Sequence, residues 1–268
     1  LFFGYREEIV ATLKLQNVSL DFPLYEMSKS LRSMLLTKYS NTKTKRRTGG
    51  EINWESKKTK KTVVHALKNI NISLTDGERV AIIGHNGAGK TTMLKVMAGI
   101  YWPTQGDVRA QGSILPMFGV VPGLSPEDNG YENIQSYSMF FRLTPERILE
   151  VTDNVEETCG LGEYLSLPVR TYSSGMQMRL AFSLMMALQG DIMLLDEELA
   201  TGDTAFHKQA HKSFIDKVET TKIVVLATHS QDAAERLCTK AMLIEAGEVV
   251  EYDSIETVFN VYSKRTKS

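Results

Sequence analysis

Residues Arg79 to Thr92 read RVAIIGHNGAGKTT, and this stretch decides the fold. Arg79 to Ile83 form a short, largely apolar run that ends at Gly84, the pattern of a buried parallel strand entering a tight turn. Gly84-His85-Asn86-Gly87-Ala88-Gly89-Lys90-Thr91 then fills the pattern G-x-x-x-x-G-K-S/T in full, and a helix is predicted to start near Lys90. The chemistry needs these residue types. Glycines let backbone N–H groups turn inward around phosphates, and the helix N-terminus adds its partial positive charge. Lys90 then reaches the β and γ phosphates of a nucleotide such as ATP, and the Thr91 hydroxyl is a ligand for Mg2+. Thr92 completes the expected nucleotide-binding segment. A turn alone calls for glycine, but not for Gly-Lys-Thr.

Outward from this stretch, Asp191 to Leu195 (DIMLL) and Lys222 to Ala227 (KIVVLA) repeat the buried-strand pattern. Helical stretches at Met176 to Leu188 and Thr204 to Val218 separate them, so the chain reads as α/β with a phosphate-loop NTPase core and a mostly parallel sheet. Ligands bind at the carboxyl ends of such strands. Asp196, after DIMLL, is therefore placed to hold the Mg2+ shell, and Glu197 to polarise the attacking water. Glu198 points the other way along the strand and receives no catalytic role. His229, after KIVVLA, is placed as a sensor of the γ phosphate. Ala241 to Glu245 and Glu248 to Tyr252 read as a terminal hairpin around Ala246-Gly247, followed by a last helix at Ser254 to Tyr262.

Composition narrows the function classes. The chain has 268 residues, enough for one large domain, and 31 Lys and Arg balance 32 Asp and Glu, so no whole-molecule field favours nucleic acid. Cys159 and Cys238 stand far apart without His or Cys at ligand spacing and read as packing residues. No apolar run approaches the roughly 20 residues of a membrane span, and Leu1-Phe2-Phe3 lacks the flanks of a signal peptide, so the expected location is cytoplasmic. Leu13 to Leu20 alternates as a half-buried strand, and Phe22-Pro23 is expected to stop it. Residues 28–61 are rich in Lys and Arg, as in Lys43, Lys45, Arg46 and Arg47, and read as an inserted loop, either simply solvated or facing anionic lipid.

Thr171-Tyr172-Ser173-Ser174-Gly175-Met176-Gln177 precedes a helix and stands upstream of LLDEE at the spacing of the signature segment of ABC ATPases, here YSSGM in place of the usual LSGGQ. Ser174 and Gly175 at a helix N-terminus present hydroxyl and N–H donors to an anion. The chain resembles that family from about Leu13 to Tyr262. The resemblance implies one ATPase domain over 1–268, with an antiparallel β subdomain and a helical subdomain at roughly 120–180 that ends in the signature. It also implies that Ser173, Ser174 and Gly175 contact nucleotide, that Asp203 is the D-loop aspartate and His229 the switch histidine. By the same resemblance a second copy binds head to tail, and membrane-spanning permease subunits move with the dimer. Two departures stand out. Ser113 to Gly130 contains no glutamine, so metal contact from that loop is not expected. No aromatic stands near Lys61, where one usually stacks on adenine; His65, Trp54, Tyr25 and Phe22 remain the candidates.

These departures resemble the subgroup that exports bacterial polysaccharides, as do FPLY (Phe22 to Tyr25), the GHNGAGK loop, GYENI (Gly130 to Ile134) and YSSGM followed by RLAF. That resemblance implies ATP-driven export of an O-antigen-like glycan on a polyprenyl-diphosphate lipid, with the chain peripheral on the cytoplasmic face of the inner membrane. Other exported substrates (teichoic acid, capsule) and a soluble ABC ATPase are the alternatives. The latter would carry two linked cassettes or a coiled-coil insertion. The chain stops at Ser268 soon after the terminal hairpin and helix, so no C-terminal carbohydrate-binding domain is expected. The Gly- and Pro-rich stretch from Ser113 to Ile134 is either the grip for the membrane partner or a connector.

Overall fold

The computed structural model describes residues 10–24, 52–53, 62–118, 124–196 and 205–266. They divide into two compact units, one of Leu1–Gln111 with Val225–Ser268 and one of Gly112–Val224. The basic stretch at 28–61, apart from Ile52-Asn53, lies outside the described residues, as do Glu197, Glu198, Asp203, Tyr25 and Trp54.

The first unit contains an antiparallel sheet ordered β2-β3-β1-β5, from β1 (Thr12–Leu24), β2 (Ile52–Asn53), β3 (Thr62–Thr75) and β5 (Gln105–Gln111). Leu13, Leu15, Val18, Leu67, Ile70 and Leu74 alternate onto its buried face. Phe22-Pro23 does not stop β1, which runs on to Leu24 with Pro23 opposite Val63. The reason lies in the neighbours. Pairing of β1 with β5 ends at Ser19, so the missing N–H of Pro23 costs no bond to that strand.

The same unit holds β4 (Arg79–Ile83), as predicted, parallel to β9 (Lys240–Glu245), which turns through Ala246-Gly247 into antiparallel β10 (Glu248–Ser254). Both turn residues have positive φ, 48° and 82°, matching the primed turns that follow strand twist. Helix α1 (Lys90–Met97) follows β4 and ends in a Schellman motif, with Ile100 N–H on the Lys95 carbonyl and Gly99 N–H on that of Val96. Helix α7 (Ile255–Thr266) packs Ile255, Val258 and Phe259 inward and extends past the predicted end at Tyr262. An Arg265–Glu245 ion pair of 2.7 Å holds its last turn.

In the second unit β6 (Ile114–Met117) runs parallel to β7 (Ile192–Asp196). Asp191 fastens their starts: its Oδ2 accepts from the N–H and hydroxyl of Ser113, each at 2.8 Å, while Lys222 approaches Oδ1 at 3.4 Å. The helices are α2 (Gly130–Phe140), α3 (Pro145–Cys159), α4 (Ser174–Ala187) and α5 (Ala205–Thr220). Their starts obey local rules. Asn129 and Glu132 form a reciprocal capping box on α2, and Thr144 with Pro145 opens α3. Cys159 and Cys238, each in its own unit, are buried and unpaired by disulfide. Strand β8 (Ile223–Ala227) has residues in both units, and every one is buried.

Candidate nucleotide site

Strand β4 enters the loop with Val80, Ala81, Ile82 and Ile83 fully buried, each large side chain contributing about 2 kcal/mol of apolar transfer. Gly84 is required by contact, because a Cβ there would lie 2.5 Å from the Ile244 carbonyl oxygen. Gly89 is required by conformation, with φ of 114° at the N-cap of α1. The loop closes through Ala88 N–H on the His85 carbonyl at 3.1 Å, and α1 begins with Met93 N–H on Gly89 at 2.8 Å. Lys90 folds back across the loop, its Nζ donating to the carbonyls of Gly84 at 2.6 Å and His85 at 3.2 Å.

The charge pattern suits an anion. Helices α2, α3, α6 (Gln231–Leu237) and α7 each carry an acid in the first turn, the usual complement to the helix dipole. α1 carries none, and Gly89 brings no capping side chain over the amides of Lys90, Thr91 and Thr92. An opened turn, an uncapped helix start and a held ammonium are a donor set for phosphate groups. His229 belongs to the same unit. Thr228, buried before it, donates its N–H to the Ile82 carbonyl at 3.1 Å, and Ser230 after it caps α6 by accepting from Ala233. The exposed His229 is thus held beside the strand that leads into Gly84.

In the second unit, Asp196 is the half-buried last residue of β7, after four buried ones. Ser173 caps α4, accepting from Met176 N–H at 3.3 Å, and α4, like α5, has no acid in its first turn. Ser173, Ser174 and Gly175 are all exposed. Among the described residues, a Cβ on Gly175 would meet only Ser173 Oγ, at 4.0 Å, so none of them demands glycine there. Tyr172, just before, is buried and donates its hydroxyl to the Tyr164 carbonyl at 2.6 Å.

Sequence reasoning missed the piece that supports this segment. Asn133 is buried, its Oδ1 accepting from Ser125 N–H at 2.7 Å and its Nδ2 donating to the carbonyls of Ser125, Asp128 and Asn129. The loop so fixed bonds onward, Val169 N–H to Asp128 and Arg170 N–H to Pro126, and Gly130 abuts Tyr172, whose hydroxyl would lie 3.0 Å from an added Cβ. The GYENI and YSSGM motifs therefore meet. Gly and Pro content marks this loop in the sequence and Asn-x-x-Glu marks the helix start after it, but neither points to the buried amide of Asn133. Of the adenine candidates, His65 Nδ1 is engaged with Asp21 Oδ1 at 2.7 Å and Phe22 lies edge-on to Tyr101, with centroids 5.5 Å apart.

The family described as ABC transporter matches residues 67–200. The chain is 37% identical over 243 residues to the O-antigen export system ATP-binding protein RfbE of Yersinia enterocolitica, covering 90% of this chain and 98% of the relative. It is 39% identical over 187 residues to the O-antigen export system ATP-binding protein RfbB of Myxococcus xanthus, covering 70% of this chain but 43% of that longer relative. The teichoic acids export ATP-binding protein TagH of Bacillus anthracis is 33% identical over 203 residues, 76% of this chain and 37% of its own length. Among solved structures, the post-hydrolysis dimer of the ATP-binding cassette MJ0796 with ADP and Pi superposes with a TM-score of 0.61 at 21% identity, covering 91% of this chain and 98% of that one. That likeness shows the fold. The phosphate loop, the parallel strands around it and these relatives together make the chain an ATP-binding, ATP-hydrolysing member of the ABC transporter family.

Proposed function

We propose that the chain is the ATPase subunit of a bacterial exporter that moves a polyprenyl-diphosphate-linked, O-antigen-like polysaccharide across the cytoplasmic membrane. The observation that carries this reading is the match to RfbE along 98% of that relative's length. Two copies act as a head-to-tail dimer at the cytoplasmic face, docked on membrane-spanning subunits. No helix among the described residues is long and apolar enough to cross a membrane, and the pathway for the glycan is assigned to those partners.

The roles follow from chemistry. The loop from Gly84 to Thr92 holds the phosphates of ATP by backbone N–H groups, and Lys90 neutralises their charge. Thr91 and Asp196 hold Mg2+, which when bound offsets charge on the phosphate oxygens. Glu197 orients and polarises the attacking water, and His229 contacts the γ phosphate. Ser173, Ser174 and Gly175 of one copy close over the nucleotide of the other, with Asp203 at the seam. Gly175 supports this reading: glycine in open space at an exposed helix start is explained by close approach of something outside the chain.

The test is to co-express the chain with the membrane protein encoded beside it, purify the complex in lipid and measure Mg2+-dependent ATP turnover. Turnover that requires the partner and rises with lipid-linked O-antigen supports the proposal. Stimulation by lipid-linked teichoic acid alone moves the substrate to the TagH class. A chain that purifies without a membrane partner and responds to nucleic acid or ribosomes overturns the transport reading.

A further inference from the structure

The outer side of the phosphate loop is lined by residues from the end of the chain. The Ile244 carbonyl oxygen stands 2.5 Å from where a Gly84 Cβ would be, and Gly247 N–H donates to the Ala88 carbonyl at 3.0 Å. The third contact is between side chains. The Tyr262 ring of α7 lies 6.4 Å from the His85 ring, centroid to centroid, with the planes inclined by 25°, inside the range of offset-stacked pairs.

His85 is the pivotal residue of the loop. Its carbonyl accepts both Ala88 N–H, which closes the turn, and Lys90 Nζ, which crosses it. A rotation of the His85 peptide would therefore disturb the turn and the ammonium together. Tyr262 is itself held, edge-on to the buried Phe259 at 6.4 Å one turn earlier and followed by Arg265 in its ion pair with Glu245. Glu245 is the residue before the Ala246-Gly247 turn, so α7 and the hairpin brace the loop as one piece.

We propose that Tyr262 is a positioning residue for the phosphate loop, acting through its ring against His85 to hold the loop open for the nucleotide. Tyr262 touches neither phosphate nor metal. It fixes the His85 peptide before ATP arrives, so ordering the loop is not charged against binding. The inference rests on the assignment of Gly84 to Thr92 as the ATP site. Its consequence is that anything that displaces α7 weakens ATP binding without altering the chemical step.

The experiment measures KM for MgATP, kcat and ATP affinity on the assembled transporter. Tyr262→Ala should raise KM about two- to tenfold, the worth of one aromatic pair, with kcat within about twofold. Tyr262→Phe should keep the original KM, because the ring and not the hydroxyl makes the contact. Tyr262→Leu, which still packs on Phe259, guards against loss of folding and should share the raised KM. His85→Ala should show the same rise, and Tyr262→Ala added to it should cost nothing more. Independent, additive losses, an unchanged KM in the Leu variant, or a fall in kcat alone would overturn the brace. Undiminished ATP binding by Lys90→Ala would instead overturn the loop assignment beneath it.

Discussion

At the scale of single residues, two positions are set by their immediate neighbours. Gly84 has the Ile244 carbonyl 2.5 Å from the place of a Cβ, and that carbonyl is backbone, which cannot step aside cheaply. Gly84→Ala should therefore cost on the order of 2 kcal/mol of stability by overpacking. It should also abolish the thermal stabilisation by ATP, read from melting curves with and without nucleotide. Asn133 is the opposite case, a buried polar group whose one amide serves four backbone partners. Truncating it in Asn133→Ala takes the amide from the Ser125 N–H and carbonyl, while the Asp128 and Asn129 carbonyls keep Val169 N–H and Asn133 N–H, at a cost of about 1–3 kcal/mol. The loss should appear as a lower urea midpoint with an unchanged m-value. An m-value that falls as well would show that the loop had frayed in the native state.

At the scale of elements, α4 presents the signature segment at one end and carries no basic residue in its last turn at the other. Lys217 from α5 supplies that charge, its Nζ donating to the carbonyls of Met186 and Leu188. Burial, with the Arg147 charge nearby, pushes the Lys217 ammonium down to about 8. An unfolded lysine near 10.4 still holds its proton between those values while the folded one has released it, so this group makes the protein more stable as pH rises from about 8 to 10. The Lys217→Met variant lacks this term. Its stability relative to the parent should worsen by on the order of 2 kcal/mol across that window, measured by urea unfolding at several pH values. A constant difference would mean that the amine titrates normally.

The same elements show what the sequence made legible. Strand β4, its glycine loop and α1 are local objects, announced by an apolar run, fixed glycines and a lysine within a few residues of each other. The continuation of β1 through Pro23 was not legible, because it depends on where β5 stops pairing. The buried Asn133, the Lys217 cap and the ring of Tyr262 over His85 were hidden for a related reason. Lys217 and Tyr262 join segments distant in the chain, and composition around either gives no sign of its partner, whereas the bonds of Asn133 stay within its own loop and depend on a backbone path that no local pattern dictates.

At the scale of the whole molecule, the exposed start of α4 is the feature that the chain by itself leaves unexplained. Glycine in a helical turn is worse than alanine by about 1 kcal/mol, and Gly175 has open space around its Cα on the solvent side. Retaining it makes sense if a second copy brings phosphate and backbone close to that surface. Gly175→Ala should then leave the isolated chain as stable as before, or slightly more so, while lowering ATP turnover of the assembled transporter. The companion variant Glu197→Gln removes the proposed base and should bind ATP without hydrolysing it, trapping the closed dimer in light scattering with ATP. Combining the two should return the scattering mass to that of one chain. A Gly175→Ala protein that still dimerises on ATP and turns over at the parental rate would place the partner surface somewhere other than the start of α4.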